Sequence, residues 1–114
     1  MEKKDLGKTS MGLEANVAAL LSYLLGFITG IVFFIIEKDN KFVRFHALQS
    51  IITFGILFVL GFVLGFMPFI GYMLGYLMWV IDIILWIILM IKAYQGEKFK
   101  LPIIGDIAEK QVGI

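Results

Sequence analysis

Residues 47–91 read ALQSIITFGILFVLGFVLGFMPFIGYMLGYLMWVIDIILWIILMI, a stretch of 45 residues with a single charge at Asp82. A helix needs about 20 apolar residues to cross roughly 30 Å of hydrocarbon, so this stretch is long enough for two membrane helices and a turn. Pro68 lacks an amide proton and disfavours helix at the residue before it, so we expect the turn there. The stretch therefore predicts a tight helical hairpin, with helices at about 45–66 and 69–92.

A second apolar run, residues 17–36, is also long enough to cross a membrane once. A polar tail at residues 1–14 precedes it, and a segment at residues 95–114 follows the hairpin. Because apolar residues recur at helical spacing after Pro102, we expect a short helix lying on the membrane surface there. The predicted fold is all-α, an integral membrane bundle of three transmembrane helices over residues 15–94, with a short basic loop after the first helix.

The composition agrees with a membrane protein and excludes several function classes. Apolar residues make up 61% of the chain and charged residues 17%, whereas a soluble domain averages nearer half apolar and a quarter charged. The chain has no cysteine and one histidine, which excludes disulfides, thiol catalysis, thiolate zinc sites and histidine metal clusters. A net charge of +1 indicates no attraction for nucleic acid. We expect no cofactor and no bound metal.

The basic residues predict an orientation. With three spans, the first loop and the C-terminal tail share one side of the membrane, and together they carry Lys38, Lys41, Arg44, Lys92, Lys98, Lys100 and Lys110. The N-terminal tail shares the other side with the hairpin turn and carries Lys3, Lys4 and Lys8. Because basic residues concentrate on the cytoplasmic side, this division predicts an outer N-terminus and a cytoplasmic C-terminus.

Each predicted span contains a Gly-x-x-x-Gly pair. The pairs are Gly26 with Gly30, Gly61 with Gly65, and Gly71 with Gly75. Small residues at this spacing let helix backbones approach closely, which is what holds helices together in lipid. Two interpretations stay open, packing within one chain and an interface between copies of the chain, since three helices bury little of their own surface.

Asp82 is the one charged residue in the interior of the predicted spans, since Lys92 marks the end of the third. It precedes Lys92 by about 15 Å of helix, which places it near the centre of the bilayer. An ionised carboxylate there costs at least about 2.5–3.5 kcal/mol, so we expect Asp82 to face the interior of the bundle. Thr29 and Thr53 reach nearly the same depth from the other two spans, so we expect at least one of them close to the Asp82 carboxylate.

A polar stripe runs along the second span. His46, Gln49 and Thr53 recur at helical spacing and lead from the membrane surface toward the level of Asp82. The stripe and Asp82 either fix the register of the helices or handle protons or cations. Catalysis is not expected, because acid–base hydrolysis needs paired carboxylates or an activated nucleophile, and neither is present in the spans.

The loop after the first span carries Lys38, Lys41 and Arg44 beside two phenylalanines. Basic side chains there can reach lipid phosphates while their stems stay in the apolar layer. We interpret the loop as a contact with lipid headgroups, which is either ordinary anchoring or a more specific lipid or partner site.

Two stretches, residues 16–26 (NVAALLSYLLG) and residues 42–50 (FVRFHALQS), resemble an uncharacterised family of small bacterial and archaeal membrane proteins. The closing stretch, residues 92–105, is similar to the end of that family, so the resemblance covers nearly the whole chain from residue 14. The family is distantly similar to the Tic-type component of the chloroplast inner-envelope protein import machinery. The resemblance implies a helical bundle in a prokaryotic cytoplasmic membrane and a role in a translocation complex, and it supplies no catalytic residues.

Two functions follow as expectations. The first is an interaction or scaffold subunit of a membrane complex, which self-associates or binds a membrane protein partner. The second is a subunit of a channel or transporter that uses Asp82 together with His46, Gln49 and Thr53.

Overall fold

The described residues form five helices and no strand, which confirms the all-α prediction. The computed structural model describes residues 7–10 and 12–113. The helices are α1 (Ala15–Leu24), α2 (Phe27–Ile36), α3 (Lys41–Leu64), α4 (Ile70–Tyr94) and α5 (Ile104–Val112). Within the described residues, α3 and α4 are the two helices that are long and apolar enough to cross a membrane.

The α3–α4 hairpin turns at residues 65–69, around Pro68, where the sequence predicts it. α3 begins at Lys41, several residues earlier than the predicted start at about residue 45. The reason is a helix cap, because the Asn40 side chain accepts a hydrogen bond from the Val43 N–H at 3.0 Å.

The predicted first span is not one helix. It breaks after Leu24, and Gly26 has φ 64° and ψ −132°, a backbone conformation that residues with a Cβ rarely adopt. The Thr29 hydroxyl accepts the Leu25 N–H at 3.0 Å and donates to the Ser22 carbonyl at 3.1 Å. In a continuous helix the backbone would pair both of those groups. Residues 17–36 therefore lie in two helices of ten residues, each about 15 Å long and too short to cross a bilayer.

α2 folds back along α1. The Ser10 N–H donates to Glu37 Oε1 at 2.8 Å, and the Asn40 side-chain amide donates to the Lys8 carbonyl at 3.1 Å. A straight helix over α1 and α2 would hold its ends about 33 Å apart, whereas the five residues from Ser10 to Ala15 span at most about 18 Å. The two helices therefore form a hairpin, here named the α1–α2 hairpin.

This hairpin corrects the predicted topology. The prediction of a continuous first span is wrong, and so is the prediction that the N-terminal tail and the first loop lie at opposite ends of the bundle. The described part of the tail, residues 7–10 and 12–14, meets the loop at one end. Residues 1–6 and 11 of the predicted 1–14 tail lie outside the described residues.

The tip of the α1–α2 hairpin reaches the middle of the long helices. The Ser50 hydroxyl donates to the Gly26 carbonyl at 2.8 Å, and the Trp86 indole N–H donates to the Tyr23 carbonyl at 2.8 Å. Ser50 and Trp86 lie about 12–14 Å along the helix axes from the ends of α3 and α4 that face the N-terminal tail. Beyond the tip, the described part of α3 and α4 continues as a pair without a third helix beside it.

Close backbone approach over glycine holds α2 to α3. A Cβ at Gly30 would lie 2.9 Å from the Ala47 carbonyl oxygen, so a side chain there would force the two helices apart. Gly26 lies against Phe54 at the hairpin tip, where a Cβ would be 3.4 Å from the Phe54 Cβ.

The other four predicted packing glycines lie on α3, on α4 or at the turn between them. A Cβ at Gly61 would be 3.1 Å from the terminal methyl of Met78, and a Cβ at Gly71 would overlap the Leu64 carbonyl. A Cβ at Gly65 would be 3.3 Å from the Phe62 carbonyl oxygen, which belongs to the same helix end. A Cβ at Gly75 would meet no described atom within 4 Å, because Gly75 lies in the wall of an open cavity beside α4.

α5 packs on α3 at the end that also holds the N-terminal tail. Gly105 and Ala108 are buried, and the Lys41 ammonium donates to the Gly113 carbonyl at 3.1 Å. Ile103 and Ile107 stay exposed beside this contact. At the same end, the Asn16 side-chain amide donates to the Tyr94 carbonyl at 3.0 Å and joins α1 to the end of α4.

Candidate functional site

Three buried polar side chains form a cluster between α1 and α3. Tyr23, His46 and Gln49 have no exposed surface. The Tyr23 oxygen lies 2.6 Å from His46 Nδ1 and 3.0 Å from Gln49 Nε2, and His46 Nε2 lies 2.9 Å from the Glu97 carbonyl. Because a carbonyl only accepts, we assign the histidine proton to Nε2. The Tyr23 hydroxyl then donates to Nδ1 and accepts from Gln49.

Gln49 also binds the chain that follows α4. Its Nε2 donates to the Phe99 carbonyl at 2.9 Å, and its Oε1 accepts from the Leu101 N–H at 2.9 Å. The side-chain amide therefore pairs with an extended segment as a neighbouring strand would. Together with the bond from His46 to Glu97, this fixes residues 97–101 against α3.

The predicted polar stripe lies on one buried face of α3, and the side chains of His46 and Gln49 are already occupied by hydrogen bonds. His46 and Gln49 bind backbone groups and Tyr23, and the Ser50 hydroxyl binds the Gly26 carbonyl. Thr53 is buried on the same face, and its hydroxyl has no hydrogen-bond partner among the described residues. This arrangement holds helices and the C-terminal segment together.

Asp82 lies at the centre of α4, twelve residues from each end of the helix. Its Oδ1 atom is buried and accepts no hydrogen bond from any described residue. Thr29 donates to the Ser22 carbonyl instead, and Thr53 makes no bond within the described chain. Neither threonine therefore donates a hydrogen bond to the Asp82 carboxylate.

Two cavities adjoin Asp82. One, of about 310 Å³, lies at the tip of the α1–α2 hairpin, where Leu25 and Gly26 form part of its wall. The other, of about 360 Å³, lies between α3 and α4 beyond the tip and is lined in part by Gly61 and Gly75.

The loop between α2 and α3 is organised around a buried carboxylate. Glu37 has no exposed surface, and its oxygens accept from the backbone N–H groups of Ser10, Asn40 and Asp39 at 2.8, 2.9 and 3.0 Å. Burial alone would raise the pKa of Glu37, but the backbone donors at Asn40, Ser10 and Asp39 together hold that pKa below its usual value. The carboxylate therefore ties the N-terminal tail to the start of α3.

The basic residues of the loop differ in what they contact. Arg44 donates to the carbonyls of Phe34 and Glu37, both at 2.9 Å, and its guanidinium lies 4.1 Å from the centre of the Phe34 ring. Lys41 binds the C-terminal segment through the Gly113 carbonyl. Lys38 is exposed. Of the three predicted lipid contacts, two are also engaged in holding the loop and the C-terminus.

Several residues that build this end of the molecule were not singled out from the sequence. Asn40 directly before an apolar helical run is a capping signal that could have been found. Glu37 and Tyr23 gain their roles only when α2 folds back, which brings Ser10 and His46 to them. The bond from Trp86 to the hairpin tip depends on the same fold.

The sequence profile of the magnetosome magnetite crystal formation protein family matches residues 8–108. The chain belongs to this family. This confirms the predicted uncharacterised family of small membrane proteins, whereas the similarity to the Tic-type import component is not shown by these matches. Within the described residues, no group of three or more His, Asp or Glu side chains is arranged to hold a metal ion.

Similar proteins in archaea carry names that refer to the membrane. A UPF0132 membrane protein of Methanocaldococcus jannaschii is 59% identical over 105 residues, which cover 92% of this chain and 94% of the relative. A UPF0132 membrane protein of Archaeoglobus fulgidus is 50% identical over 101 residues, 89% of this chain and 98% of the relative. No solved structure matches the chain.

Proposed function

We propose that this protein acts by interaction, as a scaffold subunit of a membrane complex, and not as an enzyme. One observation carries the proposal: the polar segments of the chain meet at one end of the helices and are hydrogen-bonded into one layer. We name this layer the polar platform, and it comprises residues 7–10, 37–44 and 95–113. Bonds from Asn40 to Lys8 and from Lys41 to Gly113 join its parts.

The polar platform faces the cytoplasm in this proposal. The eight basic residues of the described chain lie in the platform or in the last turn of α4, and the turn at residues 65–69 has none. The positive-inside rule then favours a cytoplasmic platform more strongly than in the three-span prediction, because no basic residue of the described chain lies at the opposite end. α3 and α4 cross the cell membrane, and the α1–α2 hairpin enters from the cytoplasmic side and returns to it.

Cysteine labelling tests this orientation, since the chain has no cysteine of its own. Single replacements are made at Ser10, Lys38, Lys110 and Phe69, and intact cells are treated with a membrane-impermeant maleimide. We expect labelling at Phe69 in intact cells and at the other three positions only after permeabilisation. Labelling of Ser10 and Lys38 from opposite sides would contradict the proposed topology.

Photo-crosslinking tests the scaffold role itself. Ile103 is 73% exposed on the platform, and Phe69 is 86% exposed at the opposite end, so the two form a matched pair. With a photoreactive phenylalanine at either position in living cells, we expect a discrete protein adduct from position 103 and none from position 69. An absence of adducts at position 103 in correctly inserted protein would overturn the platform as the interaction site. A role in a translocation complex rests on the resemblance to the Tic-type component alone.

Self-association is the second part of the proposal. Beyond the hairpin tip only α3 and α4 remain among the described helices, and a Cβ at Gly55 or Gly75 would meet no described atom within 4 Å. Small residues at such a surface allow a second copy to approach closely. Oxidation of the Gly75→Cys variant in native membranes should give a disulfide-linked dimer, and Ile84→Cys on another face of α4 should not. Equal crosslinking at both positions would contradict this interface.

A channel or transporter subunit is the second candidate function, and the unpaired Asp82 carboxylate is the observation that favours it. The stripe of His46, Gln49 and Thr53 adds little support, because His46 and Gln49 already bind protein groups. Flux of protons or cations into liposomes that is present with the wild-type protein and lost in Asp82→Asn would favour the transporter. A stable partner without flux would favour the scaffold.

A further inference from the structure

The cavity at the hairpin tip combines one carboxylate with a set of aromatic rings. It holds about 310 Å³ and lies between the tip of the α1–α2 hairpin, α3 and α4. Its volume falls at the lower end of the range of small-molecule sites, about 300–1,000 Å³. The polar side chain in its wall is Asp82, and the rings are those of Phe27, Phe54, Phe58, Trp79 and Trp86.

The Asp82 carboxylate has no partner from the protein within the described residues, although its Oδ1 atom is buried. Asp82 lies at the centre of a membrane-crossing helix, where an unbalanced negative charge is costly. The charge therefore has to be balanced by something other than a described side chain, either a proton or a cation in the cavity.

The wall of the cavity favours one class of cation. A metal ion such as Ca²⁺ takes six or more oxygen ligands, and no group of three His, Asp or Glu side chains is assembled anywhere in the described chain. A quaternary ammonium ion has no N–H group, is weakly hydrated and needs few oxygen ligands. The faces of aromatic rings, tryptophan above all, attract such ions, and the attraction is strongest when water is excluded.

We propose that this cavity binds a small lipophilic organic cation of the quaternary ammonium class. The cationic group lies against the Asp82 carboxylate, and the apolar body packs on the aromatic rings. Trp79 is 59% exposed on the surface of α4, so the cavity opens sideways toward lipid, and the ligand enters from the bilayer. The site is separate from the polar platform, so it stands or falls independently of the proposed scaffold role.

The chain supplies its own reporter. It has two tryptophans, Trp79 and Trp86, and both line the cavity. Purified protein in lipid nanodiscs is titrated with benzyltrimethylammonium, and tryptophan emission is followed against empty nanodiscs. The control ligand is neopentylbenzene, which has the same shape with carbon in place of the charged nitrogen. We expect a saturable change with the cation and at least tenfold weaker binding of the neutral compound.

Two variants locate the charge that matters. Asp82→Asn keeps the shape of the side chain and removes its charge, and we expect it to weaken binding of the cation at least tenfold. Asp106→Asn removes an exposed carboxylate of α5 that pairs with Lys100 outside the cavity, and it should bind as the wild type does. Circular dichroism and gel filtration check that both variants are folded.

Three results of the binding measurements would contradict the proposal. Equal binding of the cation and the neutral compound by the wild type would overturn the proposal, whatever the variants do. No saturable change in emission with the cation would overturn it as well. An Asp82→Asn variant that is folded and binds the cation like the wild type would show that the carboxylate plays no part.

Discussion

Removing one oxygen atom from the buried cluster should measurably destabilise the fold. In Tyr23→Phe the hydroxyl that donates to His46 Nδ1 and accepts from Gln49 Nε2 is lost. Two hydrogen bonds disappear, and two polar atoms stay buried without that partner. Hydrogen bonds between membrane helices contribute about 0.6 kcal/mol on average and at most about 1.7 kcal/mol. Buried groups left unpaired cost about 1–3 kcal/mol in general. We therefore expect a loss of about 1–3 kcal/mol in the free energy of unfolding.

The measurement is reversible unfolding in bicelles, followed by tryptophan emission, since Trp86 donates to the Tyr23 carbonyl and senses this region. Tyr94→Phe is the matched control, because Tyr94 lies at the end of α4 and is 47% exposed. We expect the control to differ from the wild type by less than about 0.5 kcal/mol. If Tyr23→Phe were no less stable than Tyr94→Phe, the cluster would not hold α1, α3 and the C-terminal segment together.

Two further changes test other contacts. Gly30→Ala should lower the free energy of unfolding by about 1–2 kcal/mol, because its Cβ would lie 2.9 Å from the Ala47 carbonyl, whereas Gly55→Ala should not lower it, since that position is open. For Glu37 the pKa is lower in the folded protein than its ordinary value of 4.5. The stabilisation is therefore complete above pH 4.5 and is lost as the pH falls through the lower folded value. Thermal unfolding should show that loss in the wild type and much less of it in Glu37→Gln.

The sequence predicts the long hairpin well, because the signals there are local. Forty-five residues with one charge need a turn, and Pro68 marks its place. The ends of α3 and α4 agree with the prediction within about four residues. The early start of α3 at Lys41 is the main difference, and it also has a local cause in the Asn40 cap.

The first apolar run misleads because its length fits a span. Twenty apolar residues have the same composition whether they form one helix or two half-length helices. What decides is a combination of Gly26, the Thr29 hydroxyl and tertiary bonds from Ser50 and Trp86 to the tip. Those partners lie more than twenty residues away along the chain, so periodicity alone does not reveal them.

The sequence predicts several residues of the candidate site, but it does not predict what those residues contact. The spacing of His46 and Gln49 shows that they share a face of α3, but their partners are Tyr23 and backbone groups of residues 97–101. Backbone carbonyls carry no signal in a sequence. The spacing between Asp82 and Lys92 in the sequence indicates how deep Asp82 lies in the membrane. The sequence does not indicate that the carboxylate has no partner within the described chain.

The half-depth hairpin has a consequence for how the protein enters the membrane. In the proposed orientation, the only described segment that has to pass through the bilayer is the turn at residues 65–69, which is five residues without a charge. α3 and α4 can enter together as one hairpin, and α1 and α2 follow to half depth from the same side. No lysine, arginine or glutamate of the described chain then crosses the hydrocarbon during insertion, and Asp82 enters and stops at the centre. Insertion in this orientation therefore carries no charged segment of the described chain across the membrane.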